Sequence, residues 1–335
     1  MKVLVLCGGR SVEREISMES SRFVLEALSK AGHSTVTAVI GHDGVWTVDG
    51  GRATIDASSP RWLLMREGAE VPFDVLFPVL HGTFGEDGTV QGLCEMASWP
   101  CAGAGVMASA VGMNKIVLKR LAAGAGIPVV PWMELMRGAE SPSPSAMLDS
   151  LGLPVFVKPA RLGSSVGISR VDSESDLAGA LELAFGHDEL VLVEKAVPSP
   201  REIEIGVIGT GTAVHTTVPG EIEPGRSWYD FEAKYACKGS RLTIPASLDP
   251  ETAAEARDHA AAVFRLLGGR GFARVDFLLG ESGLFLNEIN TIPGFTAISM
   301  FPKLWEASGL DSTGLMDAII SEALSRPATG LWEER

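Results

Sequence analysis

Several features that define large classes of proteins are missing from this sequence. None of its 335 residues lie in an apolar run near the roughly 18 residues that a membrane span needs. The apolar start of the chain stops at Gly8-Gly9, which is too short for a secretion signal. The four cysteines show neither CxxC spacing nor the density of a disulfide framework. We therefore expect free thiols, a cytoplasmic location and no membrane partner.

Positive charge is also scarce. The chain has 28 Lys and Arg residues against 42 Asp and Glu residues, a formal net charge of −14. Nucleic-acid binding needs a basic face, so we expect no nucleic-acid partner. If the protein handles nucleotide phosphates, its few cations near the site must be placed there against the overall field. Lysines at strand ends beside glycines are the candidates.

Two common nucleotide-binding motifs are absent as well. The P-loop pattern Gly-x-x-x-x-Gly-Lys-Ser/Thr does not occur, and Gly8-Gly9 does not extend into Gly-x-Gly-x-x-Gly. The second absence disfavours a Rossmann oxidoreductase. What is present, 46% hydrophobic residues, 21% charged residues and 38 glycines, is typical of a packed α/β enzyme. The length suggests two or three domains.

Hydrophobic patterning predicts a βαβ unit at the start of the chain. Residues 2–7 form an apolar run typical of a buried parallel strand. Ser11 can cap the helix predicted over residues 16–31, which carry apolar side chains at helical spacing, and residues 34–40 read as the next strand.

A further strand, predicted over residues 73–80, ends at His81-Gly82. Ligands of open parallel sheets bind beyond the carboxyl ends of the strands. We therefore expect the loops 8–15 and 81–88 to contribute to a site.

The remaining chain alternates short strands with helices. A helix is predicted over 109–123, and Asp249-Pro250-Glu251 is a strong start for a second one that ends near 267. The predicted strands cover residues 154–158, 167–171, 190–194, 202–208, 272–279 and 284–289, the last two joined by a Gly-Glu-Ser-Gly hairpin turn.

That last hairpin carries an unusual set of polar residues. Arg274 and Asp276 are two residues apart and share one strand face, as do Glu288 and Asn290 on the partner strand. If the strands pair, an arginine, two carboxylates and an amide converge on one side. A buried ion pair explains the pattern about as well as a divalent cation held by the three oxygen donors.

A second candidate is the glycine- and serine-rich loop 158–167 between two strands. Its successive backbone N–H groups can cradle phosphate oxygens, although such loops are more often plain hairpins. Lys158 ends an apolar strand, where a cation must face a cleft or an anion. Lys115 on its helix is ambiguous, because a solvated lysine explains it equally well.

Taken together, these segments resemble the D-alanine–D-alanine ligases of the ATP-grasp superfamily. The resemblance is carried, in chain order, by GGRSVEREIS (8–17), HGTFGEDGTVQG (81–92), KPARLGSSVG (158–167), YDFEAKY (229–235), RVDF (274–277) and NEINTIPGFT (287–296). These motifs span nearly the whole chain in the family's order.

The resemblance implies an ATP-grasp fold, α/β with an α+β C-terminal part, in three domains. A parallel-sheet N-terminal domain (1–103) would be followed by two ATP-gripping domains (104–196 and 197–335). It further implies a homodimer that uses ATP and two Mg²⁺ ions, which Mn²⁺ can replace. ATP would phosphorylate one D-alanine, and the amine of a second D-alanine would attack the acyl phosphate, which supplies a dipeptide precursor of peptidoglycan.

Site roles also follow from the resemblance. Metal ligands would be Asp276, Glu288 and Asn290. ATP contacts would be Lys115, Lys158, Ser164, Glu194, Lys195, Val197, Glu202, Trp228, Lys234 and Phe277. Substrates would meet Glu13, His81, Arg274, Ser299 and Met300, and the catalytic group would comprise Glu13, Ser164, Tyr235, Arg274, Gly294 and Ser299.

Two of these roles bear on mechanism and specificity. We expect Arg274 to stabilise the tetrahedral intermediate rather than to neutralise Asp276. The Lys234-Tyr235 pair resembles the dipeptide-forming group and differs from relatives that make D-alanyl-D-lactate. A ligase with D-lactate or D-serine as acceptor remains the alternative. A nucleotide-binding protein without catalysis is a further alternative, disfavoured because a mere binder needs no oxyanion arginine.

Overall fold

The computed structural model describes residues 1–58, 62–223 and 241–326. Its first sheet consists of β1 (Lys2–Gly8), β2 (Ser34–Ile40), β3 (Trp46–Val48), β4 (Gly51–Asp56), β5 (Leu63–Arg66), β6 (Ala69–Glu70) and β7 (Val75–Pro78). The spatial order is β6-β5-β4-β3-β2-β1-β7, and β1 runs parallel to both β2 and β7. Helix α1 (Arg14–Lys30) joins β1 to β2, which confirms the predicted βαβ unit.

Three details of this region differ from prediction. The parallel centre is extended by the antiparallel strands β3 to β6, so the sheet is mixed. Strand β7 is shorter than the predicted 73–80 because only residues 75–78 pair with β1. Ser11 does not cap α1, whose N-cap is Glu13. Instead the Ser11 hydroxyl donates to the His81 carbonyl at 2.7 Å and links the two predicted site loops.

The helix predicted over 109–123 is in fact two helices. Following α2 (Thr89–Met96), they are α3 (Val106–Met113) and α4 (Lys115–Gly124). The helix is interrupted at Asn114, whose side-chain oxygen accepts hydrogen bonds from the Ile116 and Val117 amides. Asparagine competes for backbone donors in this way and so favours helix starts over helix interiors. The break makes Lys115 the first residue of α4.

The second sheet is antiparallel and has the order β10-β9-β11-β8. Its strands are β8 (Trp132–Met136), β9 (Val155–Pro159), β10 (Ser169–Val171) and β11 (Leu190–Lys195), with helices α5 (Pro144–Leu151) and α6 (Glu174–His187). One side of this sheet packs against the helices in a core of aliphatic side chains that includes Val157, Leu177 and Val193.

The third sheet has the order β15-β14-β12-β16-β17, with β13 paired to β12. Its strands are β12 (Arg201–Thr210), β13 (Ala213–Thr216), β14 (Gly220–Glu223), β15 (Arg241–Thr243), β16 (Arg270–Gly280) and β17 (Gly283–Asn290). The helices of this part are α7 (Pro250–Leu266), α8 (Met300–Ala307) and α9 (Ser312–Ser325). Asp249 caps α7 by accepting the Thr252 amide at 2.9 Å, as the sequence predicts.

The predicted hairpin is confirmed in its register. Arg274 lies opposite Asn290, and Asp276 lies opposite Glu288. A bulge between Asp276 and Phe277 shifts the register beyond this point. A bulge re-aims nearby side chains, so it ends the regular pairing directly after the charged residues.

The three sheets fall within the predicted segments 1–103, 104–196 and 197–335, although the domain boundaries themselves stay a prediction. One core nevertheless joins the first and third sheets. Phe77 of β7, Phe272 of β16, Phe295 and Phe301 are fully buried, with ring centroids 5.4 to 6.0 Å apart. Phe295 belongs to the loop after β17, so this cluster fixes that loop between the two sheets.

We expect Phe272→Ala to lower the free energy of unfolding by about 3–5 kcal/mol, because the cluster around the lost ring cannot fully collapse. Phe84→Ala is the matched control, since that ring is 45% exposed, and its cost should stay below about 1 kcal/mol. Urea unfolding curves give both values. Equal effects of the two substitutions would contradict the assigned core.

Candidate active site

Two adjoining cavities lie at the edges of the three sheets. The first, of about 500 Å³, is lined by the second and third sheets together with residues 162–165. The second, of about 390 Å³, is lined by α1, the loop after β7 and the segment that follows β17. Gly163, Ser164 and Glu204 line both cavities, so the two spaces meet there.

The predicted site residues that the structure describes are all found at these cavities. The first is lined by Lys115, Lys158, Ser164, Glu194, Lys195, Val197, Glu202, Asp276, Phe277 and Glu288. The second is lined by Glu13, His81, Ser164, Arg274, Asn290, Gly294, Ser299 and Met300. Trp228, Lys234 and Tyr235 lie outside the described residues.

Arg274 forms the buried ionic centre of the third sheet. Its guanidinium donates to both oxygens of Asp276, at 2.7 and 2.6 Å, and lies 2.9 Å from Glu204 on β12. Burial alone would lower the pKa of Arg274, but Asp276 and Glu204 outweigh burial and raise the pKa well above its ordinary value. The charge of Arg274 is therefore permanent.

The expectation that Arg274 would not neutralise Asp276 is wrong for this structure. Both are almost completely buried, and a buried charge without a partner is very costly. Residues two apart on one strand face are the nearest available partners. Arg274 also lines the second cavity, so the ion pair leaves it beside the space where substrate would lie.

Glu204 was not identified from the sequence. It is 4% exposed and lies opposite Asp276 in the β12–β16 register. Glu202 and Glu204 alternate along a predicted strand, and this spacing of two is the signal that could have identified it.

The donor set on the hairpin suits a hard divalent cation. Asp276 and Glu288 pair across β16 and β17, and the Asn290 amide donates to Asp276 at 2.9 Å. Arg274 donates to both oxygens of Asp276, and Asn290 donates to Oδ2 as well, so the hairpin holds this carboxylate in one orientation. Across residues 1–58, 62–223 and 241–326, no three His, Cys, Asp or Glu side chains form a ready metal cluster. These residues fit a Mg²⁺ ion that takes part of its coordination from phosphate oxygens.

The glycine- and serine-rich loop is tied to both sides of the site. The Ser164 hydroxyl donates to the Glu13 carboxylate, which connects the loop to the start of α1. The Lys115 ammonium donates to the Leu162 carbonyl at 2.6 Å and lies 3.8 Å from Glu288. Ser164 and Ser165 have φ of +52° and +57°, the left-handed conformation that turns successive amides to one side.

At the base of the same loop, Arg161 forms an ion pair with Asp188. Asp188 also accepts the backbone amides of Arg161 and Leu190, at 2.9 and 3.0 Å. Burial would raise the pKa of Asp188, but Arg161 and these amides lower it. Asp188 therefore holds the start of the loop in place, directly after the end of β9.

A second buried charge cluster lies beneath the first cavity. Glu194 forms ion pairs with Lys158 at one carboxylate oxygen and with Lys119 at the other. Burial would raise the pKa of Glu194, but Lys158 and Lys119 together lower it to about 2. Lys119 was not identified from the sequence, where a lysine in a helix looks like a solvated residue.

His81 has a hydrogen-bond partner that also escaped the sequence analysis. Ser20, buried in α1, lies 3.3 Å from His81 Nε2 and accepts the Phe295 amide, also at 3.3 Å. Ser20 therefore links Nε2 of the ring to the backbone of the loop after β17. Burial lowers the pKa of His81 and outweighs Glu13, which raises it. His81 is therefore a neutral ring that is fixed in orientation.

The loop after β17 presents its backbone to the second cavity. The Ser299 hydroxyl accepts the Thr296 amide at 2.9 Å, and Ser299 is the N-cap residue of α8. A Cβ added to Gly294 would lie 2.8 Å from the Ser299 hydroxyl oxygen. Glycine is therefore needed at 294 for this close approach.

The cluster of Glu194, Lys119 and Lys158 should make the free energy of unfolding depend on pH below about 4.5. The pKa of Glu194 falls from 4.5 to about 2 on folding, so its contribution is complete above pH 4.5 and is lost as the pH falls towards 2. We expect the difference in free energy of unfolding between wild type and Glu194→Gln to shrink across this window. Urea unfolding at several pH values measures it. A difference that does not vary with pH would contradict the charged cluster.

Ser20→Ala should release the His81 ring. We expect a mixture of tautomers, visible in the imidazole ¹⁵N chemical shifts, and a loss of about 1–3 kcal/mol because two buried polar groups lose a partner. Ser21→Ala, in which the lost hydroxyl donates to the Met18 carbonyl of the same helix, is the control and should keep the wild-type ¹⁵N shifts of His81. Unchanged His81 shifts in Ser20→Ala would refute the assignment.

Comparison with known proteins gives one consistent result. The family model described as D-ala D-ala ligase N-terminus matches residues 2–104, and that described as D-ala D-ala ligase C-terminus matches residues 121–321. A D-alanine–D-alanine ligase from Solibacter usitatus (strain Ellin6076) is 43% identical, covering 97% of this chain and 96% of its own length. One from Deinococcus radiodurans is 42% identical, covering 96% and 98%.

Solved structures agree with the sequence relatives. The D-alanine–D-alanine ligase from Coxiella burnetii superposes with a TM-score of 0.87 at 32% identity, over 97% of this chain and 94% of that one. The VanG D-Ala:D-Ser ligase from Enterococcus faecalis gives 0.84 at 32% identity, over 96% and 99%. The predicted α/β ATP-grasp fold is thereby confirmed. The chain belongs to the D-alanine–D-alanine ligase family of ATP-dependent ligases that form a C–N bond.

Proposed function

We propose that this protein joins two D-alanine molecules at the expense of ATP, through a D-alanyl phosphate. The observation that carries the proposal is the meeting of two differently equipped cavities at Gly163, Ser164 and Glu204. One presents lysines and oxygen donors suited to a metal-bound nucleotide. The other presents a carboxylate, an arginine and a helix start suited to amino acids. A phosphoryl group can pass between them only at their junction.

ATP would occupy the first cavity. Lys115 and Lys158 would contact its phosphates, and backbone amides around Ser164 would cover them. Glu194, Lys195, Val197, Glu202 and Phe277 line the part of the cavity assigned to adenine and ribose. Trp228 and Lys234 are assigned to ATP by family resemblance.

Asp276, Glu288 and Asn290 would hold Mg²⁺, with two ions expected and Mn²⁺ as a substitute. Bound there, the metal would neutralise phosphate charge as the γ-phosphoryl group leaves ADP. Lys115, which lies 3.8 Å from Glu288, would keep a second cation beside the same phosphates.

The two D-alanines would occupy the second cavity. The Glu13 carboxylate, oriented by Ser164, would bind the ammonium group of the first, with the neutral His81 ring beside it. Arg274 and the Gly294 amide would stabilise the oxyanion of the tetrahedral intermediate. Ser299 and the amide of Met300 at the start of α8 would bind the carboxylate of the second, since helix N-termini favour anions.

The reaction balances with these groups. A carboxylate oxygen of the first D-alanine attacks the γ-phosphorus, and ADP leaves. The neutral amine of the second D-alanine attacks the acyl carbon, a C–N bond forms, and inorganic phosphate leaves with the acyl C–O bond broken. The nitrogen then loses one proton. The catalytic assignment of Tyr235, like the other site roles, rests on the resemblance.

The proposed role is supply of the peptidoglycan dipeptide in the cytoplasm, by a homodimer. Among residues 1–58, 62–223 and 241–326, no helix is long and apolar enough to cross a membrane. A second candidate acceptor is D-serine, because one structural neighbour is a D-Ala:D-Ser ligase. D-lactate is the remaining alternative acceptor.

Phosphate release from ATP with D-alanine alone, and with D-serine or D-lactate added, tests the activity. We expect efficient release and dipeptide formation with D-alanine, and slower product formation with the other two acceptors. Poor turnover with D-alanine would refute the proposal. ATP hydrolysis that ignores D-alanine would favour a nucleotide-binding protein without ligation.

Glu288→Gln tests the metal ligands. We expect kcat to fall about 100-fold or more, on the scale of losing one preorganised electrostatic contact in an active site. Glu281→Gln is the control, because Glu281 is an exposed residue at the turn of the same hairpin, and it should leave kcat unchanged. Near-normal activity of Glu288→Gln, measured across a range of Mg²⁺ concentrations, would contradict the metal assignment.

A further inference from the structure

Lys119 is one of the largest fully buried side chains among the described residues. It is 1% exposed and lies one turn after Lys115 on α4. An ammonium group at such depth is rare unless it is paired. Lys119 is therefore not an ordinary solvated lysine on a helix surface. Its partners indicate what it does.

Those partners connect Lys119 to the first cavity, which the proposed function assigns to ATP. Its ammonium forms an ion pair with Glu194 Oε1 and lies 5.7 Å from the centroid of the Trp132 ring. Glu194 Oε2 accepts from Lys158 at 2.5 Å. The carboxylate thus stands between two lysines, one on α4 and one on β9.

The three charged groups differ in their access to ligand. Glu194 and Lys158 line the first cavity, whereas Lys119 is not among the described residues that line either cavity. A bound nucleotide would therefore touch Lys158 and Glu194 and would not touch Lys119. Lys119 therefore acts on the nucleotide without contact, by pairing with Glu194 and by adding to the net charge of the cluster.

The net charge of the cluster predicts whether Lys119 strengthens or weakens phosphate binding. Glu194 carries one negative charge, and Lys119 and Lys158 carry one positive charge each, so the cluster has one net positive charge. Without Lys119, Glu194 and Lys158 would cancel, and the floor of the cavity would be neutral. Coulomb interactions at a buried site are only weakly screened, so phosphates would sense the difference.

We propose that Lys119 is a positioning residue for nucleotide binding: its buried ammonium balances Glu194, so that the positive charge of Lys158 remains available to the phosphates. This inference rests on the proposed function in one respect, the placement of ATP in the first cavity. It does not depend on which amino acids are joined. Lys115 and Lys119 would then serve one site from the same helix, Lys115 by contact and Lys119 through Glu194.

Calorimetric binding of ATP, ADP and adenosine without D-alanine tests the proposal separately from ligation. We expect Lys119→Met to weaken ATP and ADP binding about tenfold and to change adenosine binding less than about twofold, because only the phosphates carry charge. Lys119→Arg keeps the charge and should bind ATP nearly as wild type does. Arg120→Met, which removes an exposed cation from the same helix, is the matched control and should leave the binding of all three ligands unchanged.

The double variant Lys119→Met/Glu194→Gln restores one net positive charge and should bind ATP more tightly than Lys119→Met does. It also leaves no carboxylate in this cluster, which keeps the test available if Lys119→Met fails to fold. Equal weakening of ATP and adenosine, or no recovery in the double variant, would overturn the proposal in favour of a purely structural lysine. Wild-type protein that binds ATP but does not ligate D-alanine would refute the proposed function and leave this inference standing.

Discussion

The requirement that buried charges be compensated governs the site more than any other constraint. Arg274 is 9% exposed and holds Asp276 on its own strand and Glu204 on the neighbouring one. The contact with Glu204 exists only in the observed register of β12 and β16, and the register with β17 places Asp276 between Glu204 and Glu288. A one-residue slip of β12 or β17 would turn Glu204 or Glu288 to the face opposite Asp276. The register that satisfies the charges is therefore also the one that places Asp276 and Glu288 in the lining of the first cavity.

The same constraint recurs between the second sheet and α4, where Glu194 lies between Lys119 and Lys158. The protein as a whole is strongly acidic, with a net charge of −14, so anionic phosphates are repelled at long range. Buried lysines overcome this repulsion locally because low-dielectric surroundings screen them little, whereas surface charges are screened by salt. This explains how an acidic protein can bind a nucleotide with few cations.

Prediction from sequence succeeded where the determining interactions are local. The final strand pair was located to within two residues at each end, and its charged face was correct, because alternation and a short turn together set the register. It failed where a polar side chain took a hydrogen-bond partner that hydrophobic patterning does not report. Ser11 bonds to His81 instead of capping α1, and Asn114 interrupts a run of helix-forming residues by capping α4. Ser20 and Lys119 gave no clear signal, because their partners lie far from them in sequence, and the only signal for Glu204 was its spacing of two from Glu202.

The sequence by itself determined the family, the α/β class and the residues that surround the site, because motifs for a glycine loop, a charged hairpin and strand-end loops are written in short segments. Only the tertiary structure decided which charges neutralise each other. Arg274 pairs with Asp276, contrary to the expectation from sequence, and Lys119 is buried against Glu194 instead of lying in solvent. Pairing depends on distance and burial, and both are set by how sheets and helices pack across the whole chain, which local sequence patterns do not encode.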